Sequence, residues 1–149
     1  MRVLIVYDTY FGNTEAVARS MAEALEGAAG VSRICVRRAA EAGPQDVADA
    51  DLLIVGSPTR AWSMSPAAKA FIQGLRGRDW AGKRALAFDT RFSGRLAGSA
   101  ARRLAGALRR LGFDLTADPE SFYVTGMQGP LAEGELERAR ALAASLVAP

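Results

Sequence analysis

The sequence predicts a doubly wound α/β domain, a parallel sheet with helices on both faces. Three observations carry this. Short apolar runs suited to strands buried on both faces recur along the chain, each is followed by a segment of helical character, and no repeat or low-complexity linker breaks the alternation. The chain has 149 residues, half of them apolar and 23% charged, which suits one domain with a sizeable core. Residues 1–149 are therefore read as a single domain.

The elements follow in order. Residues 3–7 are a β-branched and aromatic run, short enough for a buried parallel strand. Asn13-Thr14-Glu15 then opens a helix with Val17, Met21 and Leu25 on one face and Gly27 as its stop. Residues 31–36 read as a second strand, and Gly43-Pro44-Gln45-Asp46 starts a short helical turn ending near Ala50. Residues 51–56 form a third strand. Ser65-Pro66 caps a helix carrying Phe71, Ile72 and Leu75. Residues 83–89 are a fourth strand. Residues 96–111 read as one helix, with Leu96, Ala100, Leu104, Leu108 and Leu111 sharing a face. The Leu115 region and Phe122-Tyr123-Val124 give an interrupted fifth strand. Residues 133–147 close the chain as a helix with Leu136, Ala139, Leu142 and Leu146 inward.

Composition narrows the chemistry. The chain has no histidine, which removes histidine triads, histidine metal sites and the commonest acid–base group near neutral pH. The single Cys35 excludes an internal disulfide and any CxxC motif, and its apolar surroundings suit a buried, inert thiol. No metal site and no catalytic side chain is expected. No apolar run approaches the ~20 residues of a membrane span, and residue 1 leads straight into a strand pattern without a signal sequence, so a cytoplasmic location is expected. The net charge of +3 is only mildly basic and does not point to nucleic acid.

In open parallel sheets ligands bind beyond the carboxyl ends of the strands, where strand order reverses. That directs attention to residues 8–14, 57–65 and 89–98. In the first of these, Thr9-Tyr10-Phe11-Gly12-Asn13-Thr14 joins a buried strand to a helix N-terminus. Unpaired N–H groups and the helix dipole favour an anion there. Gly12 permits close backbone approach, and Thr9 and Thr14 add hydroxyl donors. Physics alone leaves a phosphate loop and a plain capped turn equally open.

Strand–Thr-x-x-Gly-Asn-Thr–helix resembles the phosphate loop of flavodoxins, and Gly56-Ser57-Pro58-Thr59 is similar to that family's Gly-x-Pro-Thr segment. Further likeness lies in Gly129-Pro130-Leu131-Ala132-Glu133-Gly134-Glu135, so the resemblance covers essentially the whole chain. It implies a flavodoxin-like three-layer sandwich around a five-stranded parallel sheet of order 2-1-3-4-5, of the short-chain type, with FMN as cofactor. It places Thr9, Tyr10, Phe11, Gly12, Asn13 and Thr14 around the FMN phosphate. Phe11 stands where many flavodoxins have a hydroxyl residue, so only its backbone N–H serves. The resemblance sets Ser57, Pro58, Thr59, Arg60, Ala61 and Trp62 against the ribityl chain and ring, with Trp62 either stacked on the flavin or plugging the core edge. On the other side come Asp89, Thr90, Arg91, Phe92 and Gly94. That loop lacks the family's usual outer tyrosine, leaving the outer face to Phe92, to Arg91 or open. Arg91 either favours reduced, anionic flavin from near N1 or is bonded to a neighbouring loop.

The implied function is one- or two-electron transfer through bound flavin, to a redox partner protein or a small quinone-like acceptor, by a monomer or weak dimer. The alternatives are an FMN-dependent quinone or porphyrinogen reductase using the same site, and an interaction module that no longer binds flavin. Arg102, Arg103, Arg109 and Arg110 share a helical face, either plainly solvated or a docking patch for an acidic partner. Other motifs fail. Gly77-Arg-Asp-Trp-Ala-Gly82-Lys83 begins like a P-loop, but Arg84 replaces the Mg²⁺-binding hydroxyl and a strand follows. There is no GxGxxG. A receiver domain needs an Asp ending strand three and a Lys after strand five, and neither is present.

Overall fold

A computed structural model describes residues 1–148. Strands β1 (Arg2–Tyr7), β2 (Arg33–Arg38), β3 (Leu52–Pro58), β4 (Arg84–Arg91), β5 (Asp114–Leu115) and β6 (Glu120–Tyr123) form one parallel sheet. The order is β2-β1-β3-β4-β5, with β6 also paired to β4. Strands β5 and β6 run along one edge of β4, Asp114 opposite Arg84 and Glu120 opposite Phe88. They are two segments of one interrupted outer strand, as the sequence predicts, and only residues 116–119 separate them.

Helices α1 (Asn13–Leu25) and α5 (Glu135–Val147) cover one face; α2 (Pro44–Ala48), α3 (Pro66–Gln73) and α4 (Ala100–Leu111) cover the other. Alternation along the strands feeds two cores. Ile5, Ile54, Leu86 and Phe88 pack with Val17, Met21, Leu25, Ala139 and Ala143 on the α1–α5 side. Leu4, Val6, Leu53 and Val55 pack with Phe71, Leu75, Leu104 and Leu108 on the other. Central β1 and β3 are therefore apolar on both faces, which is why they read as continuous runs. Gly56 is needed at the end of β3, since a Cβ there would stand 2.0 Å from the Phe88 ring.

Two expectations are corrected. The helix predicted over residues 96–111 starts only at Ala100. Residues Arg95–Ala97 form a separate 3₁₀ turn, Gly98 follows at φ +71°, and the Ser99 hydroxyl caps α4 by accepting from Arg102 N at 3.3 Å. Leu96 is consequently 89% exposed instead of lying on the buried stripe. Strand β2 begins two residues later than predicted and is an edge strand, so Cys35 is half-buried, packed against the core margin instead of within it.

Candidate functional site

The carboxyl ends of β1, β3, β4 and β6 open into a cavity of about 340 Å³, within the range of ligand sites. Its wall contains Thr9, Tyr10, Phe11, Asn13 and Thr14 from the first loop, and Pro58, Thr59, Arg60 and Ala61 from the second. Thr90, Arg91 and Phe92 come from the third.

The first loop gathers hydrogen-bond donors at a helix start. Gly12 is the N-cap of α1 at φ +88°, and no side chain caps the helix. The leading N–H groups of Asn13, Thr14 and Glu15 have no partner inside the helix. Thr9 Oγ1 accepts from Gly12 N at 2.9 Å, leaving its own proton to donate. Thr14 Oγ1 and Thr90 Oγ1 lie 2.8 Å apart. One proton satisfies that contact, so the pair has a second to offer the cavity. Glu15, in the first turn, would repel an anion, but its carboxylate is turned away. Tyr7 Oη donates to it at 2.9 Å and Arg19 pairs with it at 3.0 Å. Those two bonds hold Glu15 below the usual carboxylate range. Burial and the bond to Glu15 push the Tyr7 phenol up.

Asn13 is held from behind. Its side-chain N–H donates to Gln128 O at 3.2 Å, and Gly129, at φ +101°, lies so close that a Cβ would meet the Asn13 amide at 2.6 Å. The loop after β6 thus braces the first loop, and its base is anchored by buried Glu135, which accepts from Tyr123 N at 2.8 Å and pairs with Arg138 at 2.8 Å. The Arg138 guanidinium and the Tyr123 N–H hold Glu135 below its ordinary range despite burial.

The remaining walls are mainly apolar. Tyr10, Phe11 and Phe92 are half-exposed. The Arg60 guanidinium lies 4.2 Å over the Tyr10 ring. Arg91 borders the cavity with Nε donating to Ser121 Oγ at 2.9 Å and Nη1 to Gly94 O at 3.1 Å and Phe92 O at 3.3 Å. These bonds tie it to β6 and to its own loop.

Four predicted contacts besides Gly12 lie off the cavity wall. Ser57 and Asp89 are fully buried and hold helix starts: Ser57 Oγ accepts from Ser65 N at 2.9 Å, and Asp89 Oδ2 accepts from Ser99 Oγ at 2.7 Å and Ala101 N at 2.9 Å. Gly94 turns the third loop at φ +121°. Trp62, at φ +63°, is 61% exposed and packs on Gly98, donating from Nε1 to Leu96 O at 2.5 Å. Thr59 does border the cavity, but its hydroxyl accepts from Ala100 N at 2.9 Å. Conversely, Ala97, Val124 and Met127 line the cavity unpredicted. Val124 and Met127 follow β6, and extending the carboxyl-end rule to the last strand finds them.

This fold and site define an α/β module with an aromatic-walled cavity at an uncapped helix start. A family model for the flavodoxin domain matches residues 4–90, and the chain belongs to that FMN-binding family. A flavodoxin from Aquifex aeolicus (strain VF5) is 37% identical over 92 residues, 60% of this chain. The match spans about half, 49%, of that relative's length. Among solved structures, oxidised flavodoxin 1 from Bacillus cereus superposes with a TM-score of 0.85 at 19% identity, covering 99% of this chain and 97% of its own. A rubredoxin oxygen:oxidoreductase from Desulfovibrio gigas gives 0.78 at 26% identity, covering 98% of this chain and 35% of its own. Among the described residues no helix is long and apolar enough to cross a membrane, and no cluster of potential metal ligands occurs.

Proposed function

We propose that residues 1–149 act as one FMN-binding, electron-transferring domain, with the FMN phosphate at the α1 N-terminus. The carrying observation is the uncapped helix start, with Gly12 in the left-handed region and the Thr9 and Thr14–Thr90 hydroxyls disposed around it. The residues fit the group: backbone and hydroxyl donors suit a phosphate without a lysine, and Tyr10, Phe11 and Phe92 suit an aromatic ring. Bound flavin supplies one- or two-electron redox chemistry. The chain's own part is to bind, orient and exclude water. That needs no acid–base side chain, consistent with the lack of histidine. Electrons pass to a redox partner protein or a small quinone-like acceptor, and we place the protein in the cytoplasm.

Titrating the purified chain into FMN tests this directly. Flavin fluorescence should be quenched at micromolar protein; undiminished fluorescence refutes the proposal. With FMN bound, rapid catalytic turnover of a quinone with NAD(P)H would favour a reductase over a carrier.

A further inference from the structure

Charge along this chain is segregated. Residues 52–113, covering β3, α3, β4, α4 and their loops, hold twelve Lys/Arg and two Asp/Glu, a net +10. The rest of the chain holds seven against fourteen, a net −7. Of the two acids in the basic half, Asp89 is fully buried and only Asp79 reaches the surface. In the acidic half Arg2, Arg19, Arg37, Arg38, Arg138 and Arg140 each pair with a carboxylate. In the basic half only Arg91 does so among the described residues, with Asp89. Arg60, Arg102, Arg103, Arg109 and Arg110 are exposed without one.

Apolar exposure is equally localised. Among the described residues the exposed large hydrophobic side chains are Tyr10, Phe11, Trp62, Phe92, Leu96 and Met127, all on loops at the carboxyl edge of the sheet. Trp62 and Leu96 lie off the cavity wall, so a ligand inside the cavity leaves them uncovered. They are also fixed in place. The Trp62 indole bonds to Leu96 O, and Arg103 Nε donates to Trp62 O at 3.0 Å. A Cβ at Gly98 would stand 2.3 Å from the indole, so only glycine lets the ring lie there. A pre-ordered aromatic among arginines is the composition of an interface centre, with less ordering cost on association.

We propose that the Trp62–Leu96 patch, with Arg60, Arg102 and Arg103 around it, is the docking surface for a partner protein presenting an acidic face around a small apolar centre. Attraction between unlike fields speeds encounter and orients the pair, here beside the cavity mouth. A second copy of this chain fits less well. Its basic half repels this surface, and its acidic half is interleaved with paired arginines, its exposed large apolar groups, Tyr10, Phe11 and Met127, all standing on the cavity wall. Duplex nucleic acid would use the charges without using the Trp62–Leu96 pair, and an anionic membrane, which takes both, is the rival set against the partner protein in the test. The inference rests on the FMN reading only for the purpose of docking.

The test is equilibrium binding of an acidic [2Fe–2S] ferredoxin as probe, with basic cytochrome c as counter-probe, to the full chain at low salt. Ferredoxin should bind and cytochrome c should not, with affinity falling at least about tenfold between 20 and roughly 200 mM salt. Arg102→Glu/Arg103→Glu should weaken ferredoxin about tenfold or more, and Arg102→Lys/Arg103→Lys should stay within about threefold of the parent. Arg33→Glu/Arg140→Glu changes net charge equally on the acidic half and should also stay within about threefold. Equal loss in both Glu pairs, or equal loss in the Lys and Glu pairs at 102/103, overturns the proposal. So does failure of ferredoxin to bind, self-association of the chain, or binding of phosphatidylglycerol vesicles or duplex DNA in its place. FMN fluorescence titration of the same samples distinguishes failure of docking from failure of cofactor binding.

Discussion

Replacing Thr14 by valine tests the phosphate site with little change of shape. Thr14 is 1% exposed, and its hydroxyl lies 2.8 Å from that of Thr90, itself 5% exposed. In the free protein the substitution removes one hydrogen bond and strands a buried hydroxyl, costing about 1–3 kcal/mol. At about 2–4 °C per kcal/mol for a chain of this length, the melting temperature should fall by roughly 2–12 °C. Thr90→Val strands Thr14 in the same way. The double variant should be less destabilised than the sum, because neither polar partner remains. FMN affinity separates the two positions. Thr14 sits in the first turn of α1, and its loss removes a donor to a charged phosphate, worth about 1.5–3 kcal/mol or roughly 10–150-fold in Kd. In Thr90→Val the Thr14 proton is still available, so the loss should stay below about fivefold. The assay is fluorescence quenching of FMN by each folded variant. Parent-like FMN affinity in Thr14→Val would falsify placement of the phosphate at this helix start.

Further expectations follow from packing and titration. Gly56→Ala drives a methyl to within 2.0 Å of fully buried Phe88, which already packs edge-on against Phe122 at 6.0 Å. A loss of about 3 kcal/mol should appear as a melting temperature roughly 6–12 °C lower. Trp62→Ala should change FMN affinity less than about threefold, because the indole lies off the cavity wall; a tenfold loss would mean that it stacks on the ring. Glu135 has its folded carboxyl held below the ordinary value of 4.5. Its contribution is complete above that value and is lost as pH falls through the lower folded one, so Glu135→Gln should flatten the acid limb of a stability–pH curve below 4.5. Tyr7 gives the opposite limb. Its phenol is raised from 10.0, so its contribution is complete below 10 and lost as pH rises further. Tyr7→Phe should reduce that alkaline loss, measured by denaturant titration.

Helix and strand order, the double-faced burial of β1 and β3, and the start of α1 at Gly12-Asn13-Thr14 were all legible in local pattern. Consecutive residues carry each of these signals: an apolar run, a Gly-Asn-Thr at a helix start, a Ser-Pro cap. The 96–111 helix shows where local pattern fails. Leu96 fits the heptad-like stripe, but Gly98 and Ser99 provide a turn and a better cap, and the tertiary structure uses them to seat Trp62. The roles of Ser57, Asp89 and Arg91 were likewise undetermined by sequence. Each stands at a strand end facing the site, and whether it points to the cavity or to a neighbouring helix depends on α3, α4 and β6.

By itself, then, the sequence determined the βα alternation, the Gly-Asn-Thr start of α1 and the lack of any histidine for the chemistry, because these depend on residues adjacent in the chain or on composition. Only the tertiary structure decided which strand-end residues wall the cavity, that Gln128 and Gly129 brace Asn13, and that Trp62 faces outward among arginines. Those outcomes join segments tens of residues apart, and the hydrogen-bond competition that settles them exists only once the helices have packed on the sheet.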